Sequence, residues 1–569
     1  MSGIGYQRHH TKYHDRGNQI RLDHRNAHNL DLIVQNGLPP RDNRTLSDIL
    51  WEAKTSCPLN SANCFIPFDK LSLALNRHLA QLALGPSDIS ESKKEALLNK
   101  ICVDWSTPGH PSFFRIFAIL VMCDNPGCIS KFIELKIDDS CLPLPNIERK
   151  GNGIKVSSLR YENSRKIPNS KLEELFKDQR VWTRNNLNSF NSYQWWAIAP
   201  FFSRPEKIIP HYVLEANDML PFTEKTNKID IDMQSLDQDV KDLMLQGGFG
   251  DVFIVKLHPS HYSFHDQPYS DGSHSFALKC LKSRNPAEFK LEVDALRKYN
   301  YGIDDHLIPL LATIEKDDDV GKYYMLFPKA NGDLRHFWER QFCINPDDSL
   351  IPWMAKQSVG IAGALSILHK DQNMDNGQDF PIYGRHGDIK AGNILWFAKP
   401  GVPGPEGWCL VLSDFGLTTF HRAISISIQT ASKLSRTITY QAPEFELEGR
   451  KVSRKSDIWA LGCTFLDFIT CYIRGYDAVD REFPSIRGAL DKNSISEDKF
   501  YWISKDGRSA KLKPSVKEWI SDLRQRPKCS EYLRKFLTFI EVKMLCIEVA
   551  GRPTASDVAH YLESLRKTL

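Results

Sequence analysis

Asp388, Lys390 and Asn393 fall in one short polar run, "YGRHGDIKAGNILWF" (Tyr383–Phe397), and a second aspartate, Asp414, follows in "VLSDFGL". One carboxylate can orient an attacking hydroxyl and take its proton, and a lysine two places on can meet a transferring phosphoryl group. An amide oxygen and a further carboxylate are the hard oxygen ligands that magnesium prefers. Together these groups are suited to phosphoryl transfer. A phosphate donor needs a cradle of its own. The run "LQGGFGDVF" offers Gly247, Gly248 and Gly250, whose missing Cβ atoms let backbone amides approach phosphate oxygens. Lys279, in the apolar run "FALK", is costly to bury without a counter-ion, and Glu292 in "AEFKLEVDALRKY" is its natural partner.

The elements that must hold these groups can be read from the texture of the chain. Residues 1–43 form a polar arm that reads as disordered. Residues 44–225 read as a mainly α-helical domain, beginning with "LSDILWEA" and "KLSLALNRHLAQLAL", where Leu71, Leu73, Leu75, Leu79 and Leu82 share an apolar face. Helical patterns continue in "SESKKEALLNKIC", with Ser90 as the N-cap, then "PSFFRIFAILVM", "ISKFIEL" and "KLEELFKDQRVW". The two glycines of "NIERKGNGIKVSS" mark a surface loop. Tyr193, Trp195, Trp196, Phe201 and Phe202 carry no interleaved basic stripe, so they read as packing rather than as a platform for bases. From residue 226 to 569 strand-like runs come first ("LMLQ", "DVFIVKL", "SFALKCL", "YYMLFP") and long helical runs follow, an α+β order.

Bulk composition limits the partners. The 569 residues are 41% hydrophobic and 25% charged, as in soluble globular proteins. A formal charge of +4 gives no reason to expect nucleic acid or an anionic membrane. The longest apolar run, near Phe113–Cys123, is too short for a bilayer span, and the first thirty residues lack the apolar core of a signal peptide. The expectation is an intracellular protein, cytoplasmic or nuclear. Thirteen cysteines include no Cys-x-x-Cys pair, which argues against a zinc site.

The motifs occur in a fixed order: "GGFGDV", "FALK", Glu292, "HGDIKAGN", "DFG" at Asp414–Gly416, "APE" at Ala442–Glu444, "DIWALG" and "GRPTA". In this order the stretch from about residue 239 to 567 resembles the eukaryotic protein kinase catalytic domain, closest in texture to fungal Ser/Thr protein kinases. The resemblance implies a two-lobed fold, a β-rich N-lobe and a helical C-lobe with ATP held between them. Lys279 would contact phosphates and pair with Glu292, while Val252, Ala277 and Leu395 would enclose adenine. Asp388 would act as base, assisted by Lys390, with Asn393 and Asp414 on Mg²⁺. His386, Phe415 and Leu296 would join the lobes, Glu444 would pair with Arg552, and Asp457 would steady the catalytic loop. Lys390 and Thr437 follow the Ser/Thr pattern. Three positions depart from the family: Leu245 for the first loop glycine, Arg436 for the glycine of "GTxxYxAPE", and Gly387 for the arginine of "HRD". Insertions at "HPSHYSFHDQPYSDGSHS" and "KDQNMDNGQDFP" read as surface loops.

The implied function is transfer of the ATP γ-phosphoryl group to Ser or Thr hydroxyls of protein substrates, in signalling. The rival is a pseudokinase or scaffold. Lys279, Glu292, Asp388, Asn393 and Asp414 decide between them, and all five are present. The helical region shows no convergent acid, base or nucleophile, so it is expected to dock a regulatory partner. A fragment starting near residue 226 is expected to keep activity.

Overall fold

The structure is a computed structural model. It describes residues 44–58, 64–85, 90–102, 111–151, 153–157, 167–205, 209–227, 250–265, 272–287, 289–290, 293, 304–316, 322–341, 350–370, 385–414, 438–449, 452–488 and 498–569. The arm, "LMLQ" and the insertion after Lys370 lie outside these residues. The chain divides into two compact units: residues up to 267 with 272–284 and 311–326, and residues 285–310 with 327–569.

In the first unit, helix α1 (Leu46–Glu52) starts from a capping box, Thr45 and Asp48 each accepting from the other's backbone. A two-strand pair, β1 (Thr55–Ser56) and β2 (Cys64–Phe65), follows. The leucine-rich run then forms two helices, α2 (Phe68–Ala74) and α3 (Arg77–Leu84). The break comes at Leu75, outside helical geometry at φ −88° and ψ 55°, and at Asn76, whose side chain caps α3 by accepting from the Leu79 amide at 2.9 Å. The change of direction splits the expected face. Leu71, Leu75 and Leu79 are buried, whereas Leu73 and Leu82 are 46% and 62% exposed. Helix α4 (Glu91–Ile101) follows Ser90, whose hydroxyl makes no cap bond.

Helix α5 (Phe114–Met122) is the apolar centre, with eight of its nine residues buried. Its N-terminal amides at Arg115 and Ile116 donate to the distant Asp139 carboxylate at 3.0 and 2.9 Å. Helices α6 (Ile129–Leu135), α7 (Asn169–Leu175) and α8 (Arg184–Ala197) complete this core. The expected loop around Gly151 is instead the turn of a hairpin, β3 (Asn146–Lys150) with β4 (Gly153–Ser157), where Gly151 supplies a φ of +58°. Trp195 and Phe202 are buried, consistent with packing.

The same unit contains a six-stranded sheet in the order β5 (His211–Val213), β9 (Ala312–Glu315), β10 (Tyr323–Pro328), β8 (Ser275–Leu281), β7 (Gly250–Leu257), β6 (Phe222–Asn227). Strand β5 runs parallel to β9, and β6 runs antiparallel to β7, from Phe222↔Leu257 to Asn227↔Phe253. Both strands come from residues ahead of the glycine run. The stretch after β7, expected as a surface loop, is buried at His261, Tyr262 and Phe264. His261 donates from Nδ1 to the Pro200 carbonyl and accepts at Nε2 from the Phe68 amide, both at 3.1 Å. Ser260 donates to Asp69 at 2.9 Å, and Phe202 bridges Tyr262. The helices and the sheet thus form one unit through a stretch that sequence texture assigned to solvent. Apolar Tyr262 and Phe264, spaced two apart, were the available signal.

The second unit holds a three-stranded sheet, β11 (Gly332–Asp333), β12 (Ile394–Ala398) and β13 (Trp408–Leu412), and helices α9 (Leu334–Gln341) and α10 (Leu350–His369). Helix α11 (Lys455–Arg474) is long and apolar enough to cross a membrane, yet Ser456–Ile473 are all buried inside the protein. Helix α12 (Phe483–Gly488) leads towards a hairpin of β14 (Tyr501–Ile503) and β15 (Ala510–Leu512). Helices α13 (Pro514–Gln525), α14 (Glu531–Phe539) and α15 (Ala555–Arg566) follow. Arg552 grips Glu444 through two bonds of 2.8 and 2.9 Å, both side chains buried. Such a pair is costly to leave half-made, so it fixes the "APE" stretch to the helical core.

Candidate active site

The loop His386–Asn393 is built on buried polar contacts. Asp457, near the start of α11, accepts from the His386 amide and from His369 Nε2 on one oxygen, and from the Gly387 amide on the other, each at 2.8 Å. Burial opposes its charge, but the hydrogen bonds from His369 and from the Gly387 amide hold the carboxyl below its usual range. Gly387 meets this carboxylate with φ +78°, a backbone state side chains rarely adopt. His386 is buried, which keeps its ring neutral by lowering its pKa, and it donates to the Ser413 carbonyl at 3.0 Å.

This frame presents Asp388. Its Oδ2 accepts from Lys390 Nζ at 2.8 Å and from Asn393 Nδ2 at 2.9 Å. The same amide group donates to the Asp388 carbonyl at 2.7 Å. Asp388 Oδ1 has no hydrogen bond among the described residues, and the side chain is 34% exposed. With its nitrogen committed, Asn393 keeps Oδ1 as an unused acceptor among those residues. Ser413 donates from amide and hydroxyl to the Asn393 carbonyl, both at 2.9 Å, and delivers the chain to Asp414. Asp414 has φ +60°, uncommon for a residue with a side chain and recurrent at functional sites. Leu395 lies on β12 between Asp333 and Val411, half-buried.

In the sheet of the first unit, the register sets Val252 opposite Lys279 and Ile254 opposite Ala277. Side chains alternate along strands, so these four share one face. The other face holds Val255, Phe276, Leu278 and Cys280 in the core. Val252 is 37% exposed, and Lys279 and Ala277 are half-buried. Gly250 opens β7 opposite Leu281. Gly247, Gly248, Glu292, Phe415, Leu296, Arg436 and Thr437 lie outside the described residues.

Sequence reasoning did not single out His369, whose role depends on contact with Asp457 far along the chain. It also missed Gln357, a buried side chain on α10 that accepts from the Leu410 amide at 2.8 Å and so secures the strand leading to Asp414.

A loop that pins an aspartate with a lysine and an asparagine, followed by a second aspartate after a short strand, is the arrangement the ordered motifs implied for a protein kinase domain. The family model for the protein kinase domain matches residues 267–562, and the chain belongs to that family. Pollen receptor-like kinase 2 of Arabidopsis thaliana is 24% identical over 309 residues, covering 52% of this chain and 40% of the relative. Serine/threonine-protein kinase SSN3 of Kluyveromyces lactis is 29% identical over 168 residues, covering 29% of this chain and 24% of its own length. A probable leucine-rich repeat receptor-like protein kinase of Arabidopsis thaliana is 25% identical over 255 residues, 31% of its length. The chain thus spans less than half the length of each.

Proposed function

We propose that the chain is an active protein serine/threonine kinase that uses ATP and Mg²⁺. The observation that carries this reading is the state of Asp388: one oxygen pinned by Lys390 and Asn393, the other open to an incoming hydroxyl. Asp388 orients the acceptor hydroxyl and takes its proton, and Lys390 steadies the charge at Oδ2. The donor set of Asn393 Oδ1 and the Asp414 carboxylate is all oxygen, which suits Mg²⁺. That ion, when bound, neutralises charge on the phosphoryl group being transferred. By the family resemblance Lys279 would meet the phosphates of ATP with Glu292 as its counter-ion, and Val252, Ala277 and Leu395 would supply apolar contact for adenine. Gly247, Gly248 and Gly250 would give the phosphates backbone amides.

The Ser/Thr assignment rests on Lys390 two places after the base and on the name of the Kluyveromyces lactis relative. Phosphoamino-acid analysis after incubation with labelled ATP, Mg²⁺ and a peptide pool tests it. Label on serine and threonine is expected; label confined to tyrosine would contradict the assignment.

A further inference from the structure

The hairpin β14–β15 interrupts the helical second unit between α12 and α13, and it is fastened to the stretch Ile438–Gly449 that contains "APE". Three kinds of contact join them. Asp498, at the foot of the hairpin, accepts from the Thr439 hydroxyl at 3.3 Å and is itself held by Arg487 at 2.7 Å. Glu446 Oε1 accepts from Tyr501 at 2.7 Å and from the buried Lys499 ammonium at 2.8 Å. At the tip, the Glu448 amide donates to the Gly507 carbonyl at 3.0 Å. The Lys499–Glu446 pair matters most, because the lysine side chain is only 8% exposed and the glutamate 32%, so water screens it less than an ordinary surface pair. Arg508 and Glu448, at 3.6 Å and both about three-quarters exposed, add little.

We infer that this hairpin is a brace for the platform on which the acceptor peptide lies, with Lys499 and Tyr501 as positioning residues that set peptide selection. The inference rests on the reading of the chain as a protein kinase, and deepens it. Lys499 and Tyr501 hold Glu446, two residues beyond Glu444, and the Arg552 fork holds Glu444 itself. The stretch is therefore fixed from two sides by side chains of its own unit. Gly387 contributes no side chain to this task. Order in the platform comes from an internal carboxylate and ammonium, and the apparent affinity for peptide depends on them while the handling of nucleotide does not.

The test uses the full chain and the variants Lys499→Met, Tyr501→Phe, their combination, and Lys499→Arg, which keeps the cation. Steady-state rates are measured with Mg²⁺-ATP and the best acceptor from a degenerate pool of serine- and threonine-centred peptides. Amide hydrogen exchange is followed over residues 438–449. The combined variant is expected to raise KM for peptide at least fivefold, with kcat and KM for ATP within twofold of wild type. Its exchange should quicken over 438–449 and not over 394–398 or 408–412, and Lys499→Arg should restore both. Unchanged KM for peptide and unchanged exchange would overturn the brace. So would exchange that quickens throughout the unit, or KM for ATP rising in step with KM for peptide. If wild type phosphorylates no peptide, the functional reading fails separately, and local exchange still decides whether the hairpin holds the platform.

Discussion

Gly387 shows how one residue can settle both a backbone and a regulatory question. Its φ of +78° aims its amide at Asp457, and a side chain there would be strained. Gly387→Ala should lower stability by about 1–2 kcal/mol, read by denaturant unfolding, because an L residue pays that much in left-handed backbone. An unchanged midpoint would show that the loop relaxes. Glycine also brings no guanidinium to pair with a phosphate on Thr430, Ser432, Ser435 or Thr437, and Arg385 nearby lies over the Phe445 ring at 5.3 Å. Phosphatase-treated protein should therefore retain activity; a loss beyond about tenfold, roughly 1.4 kcal/mol of transition-state stabilisation, would mean that another cation does this work. At this scale the sequence was most legible where partners are close along the chain. Lys390, Asn393 and Asp388 meet because they share one loop. His369 and Gln357 act across long separations, and nothing local announces such contacts.

Among the elements, periodicity located helices well and their interruptions poorly. The leucine-rich run pointed to one apolar face, but Asn76 as an N-cap turned it into two helices and left Leu73 and Leu82 outside. The hairpin β14–β15 was not read from the sequence, although Asp506-Gly507 is a turn pair between short strand-like segments, with Gly507 at φ +67°. The connection His258–Phe264 was misread because polar residues on it are satisfied internally rather than by water. His261 makes this testable. Burial depresses its pKa to about 3 from 6.5. The native state then binds fewer protons than the unfolded chain across that interval, so stability is present above about pH 6.5 and falls as the pH drops towards 3. Between pH 7 and 5 this residue should cost roughly 2 kcal/mol, at about 1.36 kcal/mol per pH unit below 6.5. His261→Gln can keep both hydrogen bonds without titrating, so the gap between variant and wild type should open by that amount over the same range. Parallel pH profiles would show that His261 does not carry the acid sensitivity.

For the whole molecule, kinship with protein kinases could be read from ordered motifs, whereas the integration of the helical region could not. Strand β5 and most of β6 precede residue 226, as do Phe68 and Pro200, which hold His261. A fragment starting near residue 226 would lose two strands and uncover His261, Tyr262 and Phe264. It should be insoluble or unfolded, contrary to the expectation from motif boundaries alone, whereas a chain starting at residue 44 should fold. A soluble fragment from residue 226 with a cooperative melt would show that the helices are dispensable. The central claim is catalysis by Asp388, and the most direct measurement compares wild type with Asp388→Asn in transfer of labelled phosphate from Mg²⁺-ATP to a serine- and threonine-centred peptide pool. Wild type should incorporate label, and the variant should be slower by at least about 10²-fold, the usual scale for losing a positioned base, while nucleotide still raises its melting temperature. Equal rates in the two proteins, or a wild type that binds nucleotide and transfers nothing, would contradict the account.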